Sequence, residues 1–243
     1  MRRSVAVLLG TGLVVAVGCG TQNYERRLDL TIQEMKYQKQ LDSNLIAAPT
    51  KGKLQELHIY VRPPKDMTGP TQAFQMTVVE PGRFDVESSF IEAEKQSLHI
   101  LGRVKQPKAP AKKGAAPPPE SAPRGDFRAE VLELVKAAYG ADVEATKLKE
   151  DSRKGNVFRT ATLDPGNGKE IQVNFYGDGK TSPYEVALIF EYLKADGPTI
   201  KPRIVLCLES FAVGDKAKRL FAGGETEEEG GESSEEGAAP VAF

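Results

Sequence analysis

The stretch Asp126–Gly140, DFRAEVLELVKAAYG, decides the fold class. Asp126 has the short acceptor side chain that suits an N-cap. Phe127, Val131, Leu134, Val135 and Ala138 recur at helical spacing on one face, and Gly140 supplies the stop. A stripe of this kind needs a second layer to cover it. On either side the periodicity switches from helical to alternating, so the partner layer is a sheet.

Four strand-like runs precede the helix. In Leu54–Arg62, Leu57, Ile59 and Val61 alternate with His58, Tyr60 and Arg62 until Pro63-Pro64 stops the run. Ala73–Val79 is the second. After the turn Glu80–Arg83 comes Phe84–Glu92, with Phe84, Val86, Ser88 and Phe90 on one face. Gln96–Val104 follows, with Leu98 and Ile100 on one face and His99 on the other. Four more runs follow the helix: Val157–Leu163, Glu170–Tyr176, Tyr184–Leu193 and Ile204–Val213. The turn Asp164–Gly168 joins the first two as a hairpin. Tyr184–Leu193 is apolar on both faces apart from Glu185 and Glu191, which places it centrally. Lys216–Phe221 reads as a last short helix. The order implies an α+β fold, an antiparallel sheet covered by helices.

The N-terminus has another character. Arg2 and Arg3 form a basic start, Val5–Val17 is almost wholly apolar, and Gly18 precedes Cys19, the layout of an export signal. The apolar run is shorter than the ~20 residues of a comfortable bilayer span, and its glycines weaken it further. Ala16-Val17-Gly18-Cys19 resembles a bacterial lipobox. The resemblance implies cleavage after Gly18, diacylglycerol on the Cys19 sulfur and an acyl group such as palmitate on its new amine. Ala16 departs from the branched residue usual there. Asn23–Leu45 reads as a helix with Leu28, Ile32 and Met35 on one stripe and Tyr24 a turn earlier. It is a membrane-proximal spacer or a helix packed on the domain; a short self-association helix is the sharper alternative.

Two segments lack the means to form a core. Gln106–Arg124, QPKAPAKKGAAPPPESAPR, is Pro-, Ala- and Lys-rich without a large apolar residue, and reads as disordered or polyproline-like. The tail Gly223–Phe243 carries seven Glu and no Lys or Arg. Set against the net charge of −1, it leaves +6 on residues 1–222, too mild a balance for nucleic-acid binding. The organisation is therefore signal peptide 1–18, anchored helix and spacer 19–53, α+β domain 54–222 interrupted by the insert 106–124, and a disordered acidic tail 223–243. Near the domain's end, Leu208-Glu209-Ser210-Phe211 resembles PsbP-like domains, which close on a strand of this character before a helix.

Motifs for chemistry are sparse. The chain contains no HExxH, GxSxG, Walker loop or dinucleotide fingerprint. An acylated Cys19 leaves Cys207 without an intrachain partner, and its run Ile204–Leu208 marks it as a buried thiol. His58 and His99 are the only histidines. A His-assisted nucleophile would need one of them beside Ser88, Ser89, Ser210 or Cys207, with an acid behind it. On strands, both histidines are expected to be solvated. Asp164, Asn167, Glu170 and Asp178 could offer oxygen ligands to calcium but fit plain turns better. Glu87, Glu185, Glu191 and Glu209 should form cross-strand pairs with Arg83, Arg103, Arg159 and Arg203 rather than acid–base pairs. Tyr60, Phe74, Tyr176, Tyr184 and Tyr192 read as sheet packing before ligand surface. No cofactor or metal site is expected. The reading is a membrane-anchored extracytoplasmic lipoprotein, on the periplasmic side of either membrane or at the cell surface. Its role is non-enzymatic, binding or envelope-structural, with membrane lipid at Cys19 and a protein or envelope partner. The alternatives are an extracytoplasmic hydrolase with a carboxylate or Ser/His site, and a small-ligand or lipid carrier.

Overall fold

A computed structural model describes residues 19–71, 83–105, 125–140 and 147–223. The signal stretch 1–18, the expected strand 73–79 with Phe74, the insert 106–124 and the tail beyond Gly223 lie outside the described residues. The chain divides into two units, a first ending at Asn44 and a second beginning at Leu45.

Helix α1, Cys19–Asn44, accounts for all of the first unit that is described. Tyr24, Leu28, Ile32 and Met35, the stripe read from the sequence, are all solvent-exposed.

The second unit is built on a seven-stranded sheet. Its elements are α2 (Lys53–Glu56), β1 (Ile59–Tyr60), β2 (Thr68–Thr71), β3 (Val86–Glu92), β4 (Gln96–Val104), α3 (Phe127–Tyr139), β5 (Lys149–Arg153), β6 (Asn156–Leu163), β7 (Lys169–Tyr176), β8 (Tyr184–Leu193), α4 (Gly197–Ser210), β9 (Ala212–Val213) and α5 (Gly214–Phe221). The strand order is β2-β3-β4-β8-β7-β6-β5, antiparallel throughout. Strands from both sides of the insert thus share one sheet. Arg103 of β4 donates to the Gly125 carbonyl at 3.0 Å, which ties the start of the second group of elements to the first. β8 is central, as its two apolar faces require, and pairs β4 from Gln96↔Tyr192 to Val104↔Tyr184. Among the described residues the edge strands are short and polar: β5 reads KEDSR, and β2 reads TGPT with Pro70 lacking a donor.

Alternate residues of the central strands face two covering layers. On one side Leu101, Ala187, Ile189, Val173 and Phe175 meet Phe127, Val131 and Val135 of α3. Asp126 caps that helix by accepting from the Arg128 and Ala129 amides, and Gly140 closes it at φ 67°, a left-handed backbone that glycine adopts without strain. On the other side Phe90, Leu98, Ile100, Val186, Leu188 and Phe190 are buried, as are Ile200, Ile204, Cys207 and Leu208 of α4. Phe211, just past α4, packs on Phe158 and Tyr176 with ring centroids 5.6 and 4.9 Å away.

Several expectations are corrected. The run Ile204–Val213 is not a strand: residues up to Ser210 belong to α4, and only Ala212–Val213 pairs, with β1. The helical period Ile200, Ile204, Cys207, Leu208 and the Pro198 start outweigh the β-branched composition. Leu208, Glu209 and Ser210, which carry the PsbP-like resemblance, are therefore helical. The run from Leu54 opens as helix α2, and His58 turns the chain at φ 54° before β1. Phe84 precedes β3 and packs on Phe127 at 5.8 Å, so it does not share a face with Phe90. Strand β5 has too little apolar character to be read from sequence.

Candidate functional site

The strongest cluster of chemical groups lies on the α3 side of β3, β4 and β8. Ser89 and His99 are directly opposite across the β3–β4 ladder, Ser97 lies two residues before His99, and Ser97 is opposite Glu191. The two-residue period puts all four on one face. Ser89 Oγ is 2.8 Å from His99 Nδ1, and Ser97 Oγ is 3.1 Å from Nε2. A neutral imidazole has one donor and one acceptor nitrogen, so one serine donates and the other accepts. Ser89 and His99 are both at 0% exposure. Burial pushes His99 down to about 4, and the Glu191 charge opposes this only in part. The ring is therefore neutral at ordinary pH.

Glu191 forms the next part of the cluster. Its carboxylate accepts from the Tyr139 hydroxyl at 2.8 Å and from Lys169. Burial by itself would raise its pKa, but the bonds from Lys169 and Tyr139 and the Lys169 charge hold it below the usual range. Tyr139 is pushed far upward, first by burial and then by Glu191. Glu87 is also on this face, opposite Leu101, and burial raises its carboxyl.

Gly69 lets the edge strand β2 lie close beside β3. A Cβ on Gly69 would lie 2.6 Å from the Ser89 carbonyl oxygen, so only glycine lets β2 approach β3 in this way.

Of the sequence candidates, only Ser89 and His99 are brought together as a hydroxyl–imidazole pair. Contrary to expectation, His99 is buried and not solvated, because α3 covers the face opposite Leu98 and Ile100. His58 sits in the turn before β1, its Nδ1 donating to the Gln55 carbonyl at 3.1 Å. Ser88 points to the α4 side of the sheet by strand parity. Ser210 bonds the Cys207 carbonyl at 2.8 Å and accepts from the Arg62 amide at 3.1 Å, which ties α4 to the chain after β1. Cys207 is fully buried, and burial pushes its thiol far up.

For Arg83, Arg103 and Arg203 the expected cross-strand Glu pairs are replaced. Arg103 faces Glu185 in register, yet its guanidinium binds Glu130 of α3 and lies against the Phe84 and Phe127 rings, 5.2 and 5.6 Å from their centroids. Arg83 joins Glu130 at 2.8 Å and Glu133 at 3.3 Å. Arg203 pairs with Asp66 at 3.2 Å. The turn acids are engaged locally. Asp164 accepts from the Gly166 amide and Lys194, Asn167 from the Lys169 amide, and Asp178 from the amides of Lys180 and Thr181. Glu170 accepts from Tyr192 and pairs with Lys201. Among the described residues no three His, Cys, Asp or Glu side chains gather as a metal site.

Ser97, Tyr139 and Lys169 were missed in the sequence. Ser97 had a usable signal, its two-residue offset from His99 in a strand. Tyr139 and Lys169 meet Glu191 only through tertiary packing.

No family model matches the chain. No curated protein matches it. Among solved structures, it is similar to the solution structure of cyanobacterial PsbP (CyanoP) from Synechocystis sp. PCC 6803, at 12% identity and TM-score 0.41, over 65% of this chain and 88% of that one. It is also similar to the Ran-binding protein Mog1p of Saccharomyces cerevisiae, at 12% identity and TM-score 0.38, over 69% of this chain and 96% of that one. Likenesses at this level identify neither a family nor a site.

Proposed function

We propose that this chain is a membrane-anchored, extracytoplasmic lipoprotein whose α+β domain has a binding or envelope-structural role and no catalytic one. The address is carried by the signal that runs from Arg2-Arg3 through Val5–Val17 to Gly18-Cys19. Helix α1, 26 residues from Cys19, is about 39 Å long at 1.5 Å per residue and would act as a stiff spacer between an acylated Cys19 and the sheet. Diacylglycerol and a third acyl chain would hold firmly, since each buried CH₂ contributes ~0.8 kcal/mol. The absence of catalysis rests on the sealed serine. Ser89 has no exposed surface, and both nitrogens of its histidine are occupied by hydroxyls.

Mass spectrometry of the purified membrane form tests the address. The expected product lacks Met1–Gly18 and carries lipid on Cys19. An intact Met1 terminus or a bare Cys19 thiol would refute it.

The 2.8 Å contact between Ser89 and His99 favours a second reading, a Ser/His hydrolase that opens to admit substrate. A fluorophosphonate probe separates the two readings. Labelling of the folded chain that disappears in Ser89→Ala would establish the hydrolase; an unlabelled Ser89 supports the binding role.

A further inference from the structure

We infer that Asn167 is a site of spontaneous deamidation, and that the turn joining β6 to β7 prepares it for this chemistry. The chain holds five asparagines, at positions 23, 44, 156, 167 and 174, and Asn167 alone precedes a glycine. A side chain on the next residue would crowd the main-chain nitrogen that has to attack, and Gly168 has none. Asn167 and Gly168 are exposed, and a Cβ built on Gly166 or Gly168 would meet nothing within 4 Å, so the turn is open to water. Asn156 and Asn174 are buried, and their side-chain amides donate to the Phe211 and Leu188 carbonyls. Asn23 lies within α1, where the next nitrogen is held in a helical bond. Asn44 ends α1 with its amide on the Gln40 carbonyl at 2.9 Å and the buried Leu45 after it.

Asn167 Oδ1 accepts from the Lys169 amide at 3.1 Å. That bond folds the carboxamide back along its own main chain and draws electron density from Cγ. The Gly168 nitrogen adds to Cγ, and the negative charge that develops on Oδ1 meets an N–H donor already in place. The tetrahedral centre collapses with loss of ammonia, which takes the proton from the Gly168 nitrogen, and a five-membered imide remains. Water then opens the imide at either carbonyl. One opening gives aspartate; the other gives isoaspartate, with the main chain routed through the former side chain. Asp178, also followed by a glycine, offers the contrast. Its Oδ1 accepts from the amides of Thr181 and Lys180 and from the Thr181 hydroxyl, bonds that hold the carboxyl well below its usual range, as an anion that a nitrogen attacks poorly. The Asn167 turn is also tied to the end of β8. The Gly168 carbonyl accepts from the Lys194 amide at 2.9 Å, and Lys194 pairs with Asp164. Isoaspartate adds a methylene to the main chain beside Gly168 and so loosens that tie.

Ageing the folded full chain in mildly alkaline buffer, followed by peptide mapping, tests the inference. Asn167 should convert first, to a mixture of aspartate and isoaspartate, while the other asparagines stay intact. Its rate should lie within about tenfold of that in a free peptide spanning residues 161–174, because the turn presents the reacting groups and does not shield them. An Asn167 that survives well after the peptide has converted, or earlier loss of another amide, overturns the inference. An isoaspartyl-specific methyltransferase should label the aged chain, and Asn167→Ser should abolish the label; a label that persists in Asn167→Ser places the chemistry elsewhere and refutes the assignment. In the aged fraction the Lys194 amide should exchange with solvent faster than in the fresh chain, and equal exchange would overturn the loosening of the tie to β8.

Discussion

The two faces of β4 and β8 are both buried, yet they differ in chemistry. Toward α4 the strands present Leu98, Ile100, Val186, Leu188 and Phe190. Toward α3 an apolar centre of Leu101, Ala187 and Ile189 is flanked by polar groups, with His99 and Glu191 on one side and Arg103 on the other. The α4 face is held chiefly by apolar area, with its buried polar groups, Gln96, Tyr192 and the neighbouring Asn174, away from its apolar centre. The α3 face must also satisfy each hydrogen-bonding group it removes from water. A one-residue slip of β3 on β4 would separate Ser89 from His99 and strand both, so the polar face fixes the register that the apolar face would tolerate less specifically. The same chemistry that resembles a catalytic pair therefore has a structural use.

Phe190→Ala should have the largest effect, a loss of about 4 kcal/mol that does not vary with pH, because it opens a cavity on the apolar face. Urea unfolding at two pH values checks this; a strong pH dependence would blur the contrast between the faces. Next is Arg103→Ala, with an expected loss of about 3 kcal/mol, since it strips Glu130 of a buried partner and removes the stacking on Phe84 and Phe127. Arg103→Lys should recover only part of it, because an ammonium cannot reach Arg83 O, Gly125 O and Glu130 together.

His99 gives the pH signature of the polar face. Its value falls from 6.5 to about 4 on folding. The unfolded chain therefore takes up the proton first as pH drops. Stability is full above about pH 6.5 and declines toward pH 4, by about 3 kcal/mol in total. Glu191, held below its usual range, adds a loss of the same sign at lower pH. Replacing His99 with Asn should flatten the profile over this window, and identical profiles for the two chains would disprove the assignment. The smaller effects concern the helix that makes the polar face. Asp126→Ala should lower stability by about 1 kcal/mol by removing the cap of α3. Replacing the insert with a short Gly/Ser link should change stability by no more than about 1 kcal/mol, upward, as loop closure becomes less costly. A collapse on deletion would show that the insert contacts the fold.

Much of the architecture was legible because it follows from periodicity. The α3 stripe, the β6–β7 hairpin and the central place of β8 depend on local pattern and turn chemistry. The runs that failed were ambiguous in period. Ile204–Leu208 is rich in β-branched residues, and only Gly197, Pro198 and the spacing back to Ile200 disclose the helix. The site was partly legible. Ser89 and His99 stood among the candidates, but their pairing required the β3–β4 register. The burial of His99 required α3 to cover a face that strand alternation alone leaves open to solvent.

The outer strands have a consequence of their own. Strand β5 offers charged side chains along its free edge, and β2 interrupts its own with Pro70. Among the described residues both outer edges thus carry features that disfavour pairing with a strand of a neighbouring molecule, so copies held close together would be slow to join edge to edge.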